Sequence, residues 1–173
     1  AANLERAERR LPPLPAETAA GAPAAVATPQ CRTIEEVSAF LKIPADHLIK
    51  TLIYVADGKP IAVLVPGDRE LNEHKLARAL GGVPLQMADD RMIEQATGAP
   101  VGFAGPVGLK IPIYADAELK TPRVCATGAN AADTHLTGVL LGRDAVVTDF
   151  FDLVTCREGD LCPRCGGRLR EKR

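Results

Sequence analysis

The chain has 173 residues, 46% hydrophobic and 25% charged, which is enough for one compact core and short for two. No apolar run approaches the ~20 residues that cross a bilayer, and the charged start AANLERAERR lacks the apolar segment of a secretory signal. Net charge is −1 and only 3% of residues are aromatic. These values disfavour a module that attracts nucleic acid by its overall field or stacks single-stranded bases on aromatic rings.

The first thirty residues predict little contribution to a core. Residues 1–10 are typical of the end of a helix, and 11–29 (LPPLPAETAAGAPAAVATP) form a Pro- and Ala-rich stretch typical of an extended linker. We therefore expect residues 1–32 to be peripheral to the fold. Deletion of residues 1–27 should then leave the melting temperature nearly unchanged.

The central part of the chain predicts helices and hairpin strands. Thr33-Ile-Glu-Glu is a capping box that begins a helix, with Ile34, Val37 and Leu41 on one face. The run LIYVA–DG–KPIAVLV predicts two strands joined by a tight turn. Further helices are predicted at 70–80 and 89–96, and short strands at 111–114, 124–126 and 136–140. The pattern indicates an α+β fold with a mixed, largely antiparallel sheet or partial barrel surrounded by helices.

The five cysteines, an odd number without a signal segment, indicate a reducing compartment, so we expect a cytoplasmic location. Cys162-Pro-Arg-Cys165-Gly-Gly resembles half of a zinc knuckle, with Cys156 upstream, but the segment offers no second pair and no His. We predict a glycine-rich turn without metal. Residues 157–173 carry six Lys or Arg against three Asp or Glu, which is typical of a solvated basic tail.

Three features each allow a functional or a structural interpretation. The loop Gly102-Phe-Ala-Gly105-Pro106 permits close backbone approach to a ligand or is simply a turn. His135, five residues after the turn Gly128-Ala-Asn130, lines a site or is a satisfied core histidine. Lys50 lies among apolar residues, where it holds an anion or extends to solvent. No Ser-His-Asp, Cys-His or HExxH pattern supports covalent or metal catalysis.

Taken in order, these motifs resemble the insertion domain of bacterial prolyl-tRNA synthetases, within the YbaK-like editing superfamily. The resemblance covers residues 28 to the C-terminus, and its most specific parts are Glu70-Leu-Asn-Glu and Gly102-Phe-Ala-Gly-Pro106. The start, AANLERA, resembles the synthetase segment that precedes the insertion. The implied organisation is a synthetase stub and linker at 1–30, an editing domain at 31–156, and a C-terminal tail at 157–173 that returns to the catalytic domain.

The resemblance implies post-transfer editing: hydrolysis of alanine from mischarged tRNA(Pro) by water, without a protein nucleophile or a cofactor. ATP and Mg²⁺ would serve the separate synthetic site. Family positions assign Lys50 to the terminal adenosine or ester, and Gly102, Gly105 and Pro106 to a loop that supplies backbone donors. The amino-acid pocket would be bounded by side chains at the positions Ile34, Val37, Asn130, His135 and Asp152.

The implied partners are the 3′ end of tRNA(Pro) and the catalytic and anticodon-binding domains of a synthetase, with no membrane. Two alternatives stay open: a trans-acting deacylase for cysteinyl-tRNA(Pro), and a non-catalytic tRNA- or protein-binding module. Val37 stands where some relatives carry Leu, which leaves the size of the pocket to be decided by the structure.

Overall fold

A computed structural model describes residues 2–19 and 21–171. Within these residues the chain forms eight β-strands and three α-helices, with 3₁₀ turns at Ala45–His47 and Ala117–Lys120. The elements in chain order are β1 (Ala24–Ala27), α1 (Ile34–Leu41), β2 (Leu48–Ala56), β3 (Lys59–Pro66), α2 (Glu73–Ala79), β4 (Leu85–Met87), α3 (Asp90–Thr97), β5 (Ile113–Asp116), β6 (Cys125–Gly128), β7 (Thr134–Val139) and β8 (Asp149–Phe151).

The strands form one open sheet in the order β1-β7-β6-β2-β3-β5-β8, and β4 pairs with β2 beside this path. Four of the described pairs are antiparallel (β1 with β7, β7 with β6, β2 with β3, β2 with β4). The pairs β2 with β6, β3 with β5, and β5 with β8 are parallel. The predicted α+β class with a mixed, largely antiparallel sheet is confirmed.

The β2–β3 hairpin is the centre of the sheet, as its sequence predicts. Its turn residues Asp57 and Gly58 both have positive φ, 49° and 74°, the geometry of a turn whose twist matches the flanking strands. The strands pair from Ile49 opposite Pro66 to Ala56 opposite Lys59. The Val- and Ile-rich β3 is buried from Ile61 onward because helices and loops cover both faces of the sheet.

The two faces of the sheet carry separate apolar clusters. On one face Leu76 of α2 packs against Tyr54, Val63 and Leu153. The other face carries the largest cluster, whose fully buried members are Ile49, Ile53, Ala62, Leu64, Ala88, Ile113, Ala115, Leu119 and Cys125. A third, smaller cluster joins Val37 of α1 to Leu48 and Ala126. Helix α1 is therefore anchored where β2 and β6 begin to pair.

Local capping explains where the helices begin. At α1 the Thr33 hydroxyl accepts the N–H of Glu36, and the Glu36 carboxylate accepts the N–H of Thr33, so the predicted capping box is confirmed. Helix α2 begins at Glu73 rather than Glu70 because the Asn72 side chain caps it by accepting the N–H of Lys75. Strands β4 and β8, each three residues long, were not predicted because so short a run carries no readable alternation.

The expectation of a peripheral N-terminal segment is wrong. Ala24–Ala27 forms β1, which pairs with β7 in antiparallel register and places Val26 opposite His135. Residues 2–10 show turns and a bridge rather than the end of a helix; residues 1 and 20 lie outside the described residues. Thr28, at the end of the predicted linker, is fully buried. Deletion of residues 1–27 is therefore expected to remove an edge strand and lower the melting temperature substantially.

Arg9 is the main anchor of this N-terminal segment. Its guanidinium contacts Asp116 at 2.5 Å, Glu118 at 2.9 Å and Asp152 at 3.4 Å, and its side chain is only 5% exposed. Asp152 also accepts a hydrogen bond from the buried Lys75 ammonium at 2.8 Å. Burial raises the pKa of Asp116, whereas the Arg9 charge acts in the opposite direction. The cluster therefore depends on Arg9 for charge balance.

The C-terminal segment also packs against the body, contrary to the expected solvated tail. The Arg10 N–H donates to the Leu161 carbonyl at 2.8 Å, and the Arg69 guanidinium binds both Asp160 oxygens at 2.9 and 2.6 Å. Cys162 and Gly167 bracket the predicted glycine-rich turn, closed by the Gly166 N–H to the Cys162 carbonyl. Residues 172 and 173 of this segment lie outside the described residues.

Within the described part of the chain, three or more His, Cys, Asp or Glu side chains nowhere converge as a metal ligand set. A search of the same residues finds no helix with the length and apolar character to span a membrane.

Replacing Arg9 with Met should destabilise the fold by about 3–5 kcal/mol, because Asp116 is left as an uncompensated buried charge. The matched control is Arg78→Met, whose pair with Glu8 is exposed, and which should change stability by less than about 0.5 kcal/mol. Urea unfolding of both variants checks this. Equal unfolding midpoints would contradict the anchoring role.

The Arg9→Met deficit should also depend on pH. Loss of the guanidinium raises the pKa of Asp116 further above its value in the unfolded chain. At acidic pH the Asp116 carboxyl of the folded variant is therefore protonated and neutral. A group with a raised native pKa stabilises the fold below its unfolded pKa, and this contribution is lost as pH rises through the native pKa. The gap between variant and wild type is therefore expected to widen from pH 5 to pH 7.

Candidate active site

A gap in the pairing of β2 creates the site. Along one edge β2 pairs continuously with β3, but along the other it pairs with β6 only through Ile49 and with β4 only from Tyr54 onward. Leu48 bonds to the β3 side through its carbonyl, and Ile53 bonds to the β4 side. Because the N–H and C=O groups of successive residues point to alternate edges of a strand, those of Thr51 point to the same edge as Ile53 and therefore into the gap.

The gap opens into a cavity of about 380 Å³. Its walls come from α1, the middle of β2, the start of α3, the glycine loop at 101–104, and the ends of β6 and β7. The lining residues are Arg32, Thr33, Ile34, Val37, Leu48, Ile49, Lys50, Thr51, Leu52, Ile53, Met87, Ile93, Val101, Gly102, Ala104, Ala126, Thr127, Gly128 and His135. Of the residues predicted from sequence, the structure brings Ile34, Val37, Lys50, Gly102 and His135 together here.

Two cationic residues, Lys50 and Arg32, line the cavity. The position of Lys50 in β2 directs its side chain to the edge of the cavity, where the ammonium donates to Glu70 at 2.9 Å. The Lys50 side chain is 18% exposed, whereas Glu70 is 84% exposed. Such an exposed pair contributes little to stability, so the ammonium can exchange Glu70 for a ligand anion at small cost.

His135 lines the cavity and also packs within the protein. Its Nδ1 lies 2.6 Å from the Thr28 hydroxyl, and its ring meets Phe103 edge-on at 6.1 Å between centroids. Burial lowers the pKa of His135, so the imidazole is neutral at pH 7. The ring is thus fixed by Thr28 and still faces the cavity, which unites the two interpretations left open by the sequence.

Two glycines allow the loop at 102–106 to lie against β6. A Cβ on Gly105 would stand 1.7 Å from the Gly128 carbonyl oxygen, and a Cβ on Gly128 would stand 2.4 Å from that of Phe103. Both overlaps involve backbone atoms, which cannot rotate away. Gly102 has φ of +97°, in the region that favours glycine. The loop conformation thus requires glycine at all three positions.

Asn130 fixes this loop from outside the cavity. Its side chain accepts the Gly105 N–H at 2.8 Å and donates to the carbonyls of Gly105 and Val107 at 2.9 and 3.0 Å. The predicted place of Asn130 in the pocket wall is therefore corrected: it clamps the loop. Gly105 and Pro106 likewise lie behind the cavity, and the loop residues that line it are Val101, Gly102 and Ala104.

Asp152 is not in the site. The chain leaves His135 on β7 and reaches β8 at the opposite edge of the sheet, so Asp152 follows β8 and contacts Arg9 and Lys75. The prediction was carried over from the family resemblance by matching positions along the sequence, and such a match does not show which edge of the sheet a later strand joins. Its acidic side chain belongs to the structural ion cluster.

The sequence reasoning missed Thr51, Thr127 and Thr28. The hydroxyls of Thr51 and Thr127 are buried without a hydrogen-bond partner among the described residues, and both side chains line the cavity. Thr51 directly follows Lys50, and Thr127 directly precedes the turn Gly128-Ala-Asn130, so both threonines adjoin features that the sequence had singled out. Thr28 had no such signal, since it lies in the stretch taken for a linker.

This fold and cavity define a class of proteins. The sequence profile described as "Aminoacyl-tRNA editing domain" matches residues 28–145, and the chain belongs to this family.

Similar sequences occur in proteins named proline–tRNA ligase. The chain is 55% identical to that of Nitratidesulfovibrio vulgaris over 171 residues and 52% identical to that of Geobacter sulfurreducens over 166. These alignments cover 98% and 95% of this chain but only 30% and 29% of the relatives, so the chain spans about a third of their length. The resemblance to the synthetase insertion domain is confirmed.

Solved structures share the fold. One is described as a candidate trans-editing enzyme for prolyl tRNA synthetase, with 22% identity, a TM-score of 0.64, and coverage of 78% of this chain and 87% of that one. The hypothetical protein APE2540 is 28% identical, with a TM-score of 0.59 and coverage of 66% and 79%.

Gly105→Ala should displace the loop from β6 and destabilise the fold by about 1–3 kcal/mol, the range for forced overpacking. Gly21→Ala is the control, because a Cβ at Gly21 meets nothing within 4 Å. Urea unfolding measures both. Stability equal to the control would refute the close packing of the loop on β6.

Proposed function

We propose that the cavity is a post-transfer editing site that hydrolyses alanine from mischarged tRNA(Pro) within a prolyl-tRNA synthetase. The observation that carries this proposal is the cavity itself: a space of about 380 Å³ with Lys50 at its edge and an apolar wall of Ile34 and Val37. Membership of the editing family supports the reaction class. The similarity to proline–tRNA ligases supports the identity of the tRNA.

A small pocket is the physical requirement for this activity. A synthetic site built for proline binds the smaller alanine by mistake, because a pocket discriminates weakly against a smaller ligand. A second site that admits a methyl side chain and excludes the pyrrolidine ring corrects the error. Val37, His135 and Ile34 would set that boundary, and Val37 is 3% exposed, so it has little freedom to move aside.

The chemistry requires charge stabilisation more than a nucleophile. In the proposed reaction water attacks the ester carbonyl, and the tRNA terminal hydroxyl leaves. Lys50 would attract the terminal phosphate or the developing oxyanion. The Gly105 N–H already donates to Asn130. Backbone donors for the carbonyl would therefore come from Gly102 and Ala104, which line the cavity, rather than from Gly105.

The remaining assignments belong to the same proposal. The reaction would need no cofactor, so a chelator should leave hydrolysis unchanged, and the ATP and Mg²⁺ of a synthetase would serve its other site. The partners would be the acylated 3′ end of tRNA(Pro) and the catalytic and anticodon-binding domains, in the cytoplasm. The boundaries 1–30, 31–156 and 157–173 stay a prediction; β1 and Thr28 favour an earlier start of the domain.

Single-turnover deacylation of Ala-, Cys- and Pro-tRNA(Pro) tests the function. The proposal expects rapid loss of alanine and slow loss of proline. Faster hydrolysis of Cys-tRNA(Pro) would indicate the cysteine editor instead, and rates equal to buffer for all three would indicate a non-catalytic binding module.

Lys50→Ala should reduce deacylation of Ala-tRNA(Pro) by ~10²-fold or more, the scale of losing one transition-state donor. Its melting temperature should stay within about a degree of wild type, because the pair with the exposed Glu70 adds little stability. Lys59→Ala, at an exposed position of β3, is the matched control and should keep full activity. An active Lys50 variant would remove this side chain from the mechanism.

His135→Ala should change selectivity, because it removes the imidazole from the pocket boundary and opens space for larger side chains. We expect the ratio of proline to alanine hydrolysis to rise. Thr28→Val is the control: it removes the Nδ1 partner but leaves the ring. If His135→Ala keeps the wild-type ratio, the residue is purely part of the core.

A further inference from the structure

Two buried hydroxyls in the cavity have no hydrogen-bond partner among the described residues. Thr127 is 2% exposed and Thr51 is half-buried, and the Oγ1 atoms of both lack a hydrogen bond within the described ranges 2–19 and 21–171. A buried hydroxyl without a partner costs free energy, and native proteins retain such groups where they serve a ligand. Both side chains belong to the cavity wall.

The sheet register places the two hydroxyls together. Thr127 of β6 lies beside Ile49 in the parallel pair of β2 and β6, and Thr51 is two residues further along β2. Because side chains alternate along a strand and neighbours in register share a face, Ile49, Thr51 and Thr127 point to the same face of the sheet. The backbone carbonyl of Thr51 faces the gap that separates β6 from β4 along this edge of β2.

Lys50 points to the opposite face, toward Glu70. Lys50 therefore stands on the opposite side of the sheet from the threonine hydroxyls and the Thr51 carbonyl. The second cationic residue of the lining, Arg32, lies beside Gly102. The terminus of an aminoacyl-tRNA also has groups of both charges. Its phosphate is negative, its ester carbonyl oxygen becomes negative during attack by water, and its α-ammonium group is a positive hydrogen-bond donor. Repulsion by Lys50 and attraction by acceptor oxygens favour one orientation of that ester.

We propose that Thr127, assisted by Thr51, binds the α-ammonium group of the aminoacyl ester. The inference rests on the proposed editing function and assigns a positioning contact within it. A hydroxyl that accepts from a charged donor contributes more than a neutral pair does. The contact would fix the ester carbonyl relative to the loop at Gly102. It would also explain why a buried hydroxyl without a partner among the described residues persists in the cavity wall.

Thr127→Val tests this, since it keeps the shape of the side chain and deletes the hydroxyl. Deacylation of Ala-tRNA(Pro) should fall by about 10- to 100-fold, the range for a hydrogen bond to a charged group. The melting temperature should stay equal or rise, because an unpaired buried hydroxyl is removed. A structural role would instead lower both. Thr127→Ser should restore most of the activity, and Thr137→Val, on β7 outside the cavity, should leave activity unchanged.

The ammonium itself is tested with lactyl-tRNA(Pro), in which a hydroxyl replaces the α-amino group at nearly equal size. On this substrate the loss caused by Thr127→Val should shrink to about threefold or less, because the charged donor is gone. An undiminished loss would show that Thr127 contacts another group and would overturn the assignment, as would a Thr127→Val variant with wild-type rates on Ala-tRNA(Pro). Absence of hydrolysis by the wild type would refute the editing function instead.

Discussion

The incomplete pairing of β2 is the constraint on which the site depends. A central strand normally satisfies both of its edges, but here β6 separates from β2 after Ile49 and β4 joins only at Tyr54. The unpaired stretch gives the protein an opening through the middle of its sheet with polar backbone atoms at the rim. The walls around it are rigid because Ile53 and Leu64 belong to the main core. The cavity is thus built into the strand pairing, and the loop that completes its wall is held by Asn130.

Three contacts around the cavity hold other residues in place. Asn130 binds the glycine loop, Thr28 orients His135, and α1 brings Val37 against Leu48. This arrangement leaves Lys50 and the threonine hydroxyls with polar atoms available to a ligand. Such division between supporting and contacting groups is what a site needs to keep its geometry while a substrate enters.

How much the sequence could predict depended on the range of the interactions involved. The hairpin at Asp57-Gly58 and the capping box at Thr33 are local, and both were predicted correctly. The place of Asp152 and the burial of Arg9 depend on contacts across more than a hundred residues, which no local pattern encodes. The linker was misjudged for a related reason: β1 is stabilised by pairing with β7, so small residues of weak β-propensity suffice.

The hydrogen bond between Arg10 and Leu161 holds the N-terminal and C-terminal segments side by side. One hydrogen bond joins these residues although 151 positions separate them in the chain. A unit whose two connecting segments lie side by side can be inserted at the surface of another fold without disrupting that fold. The same geometry makes the domain suitable for circular permutation: a short linker could join the two segments, and new ends could be placed at the exposed glycine pair Gly81-Gly82.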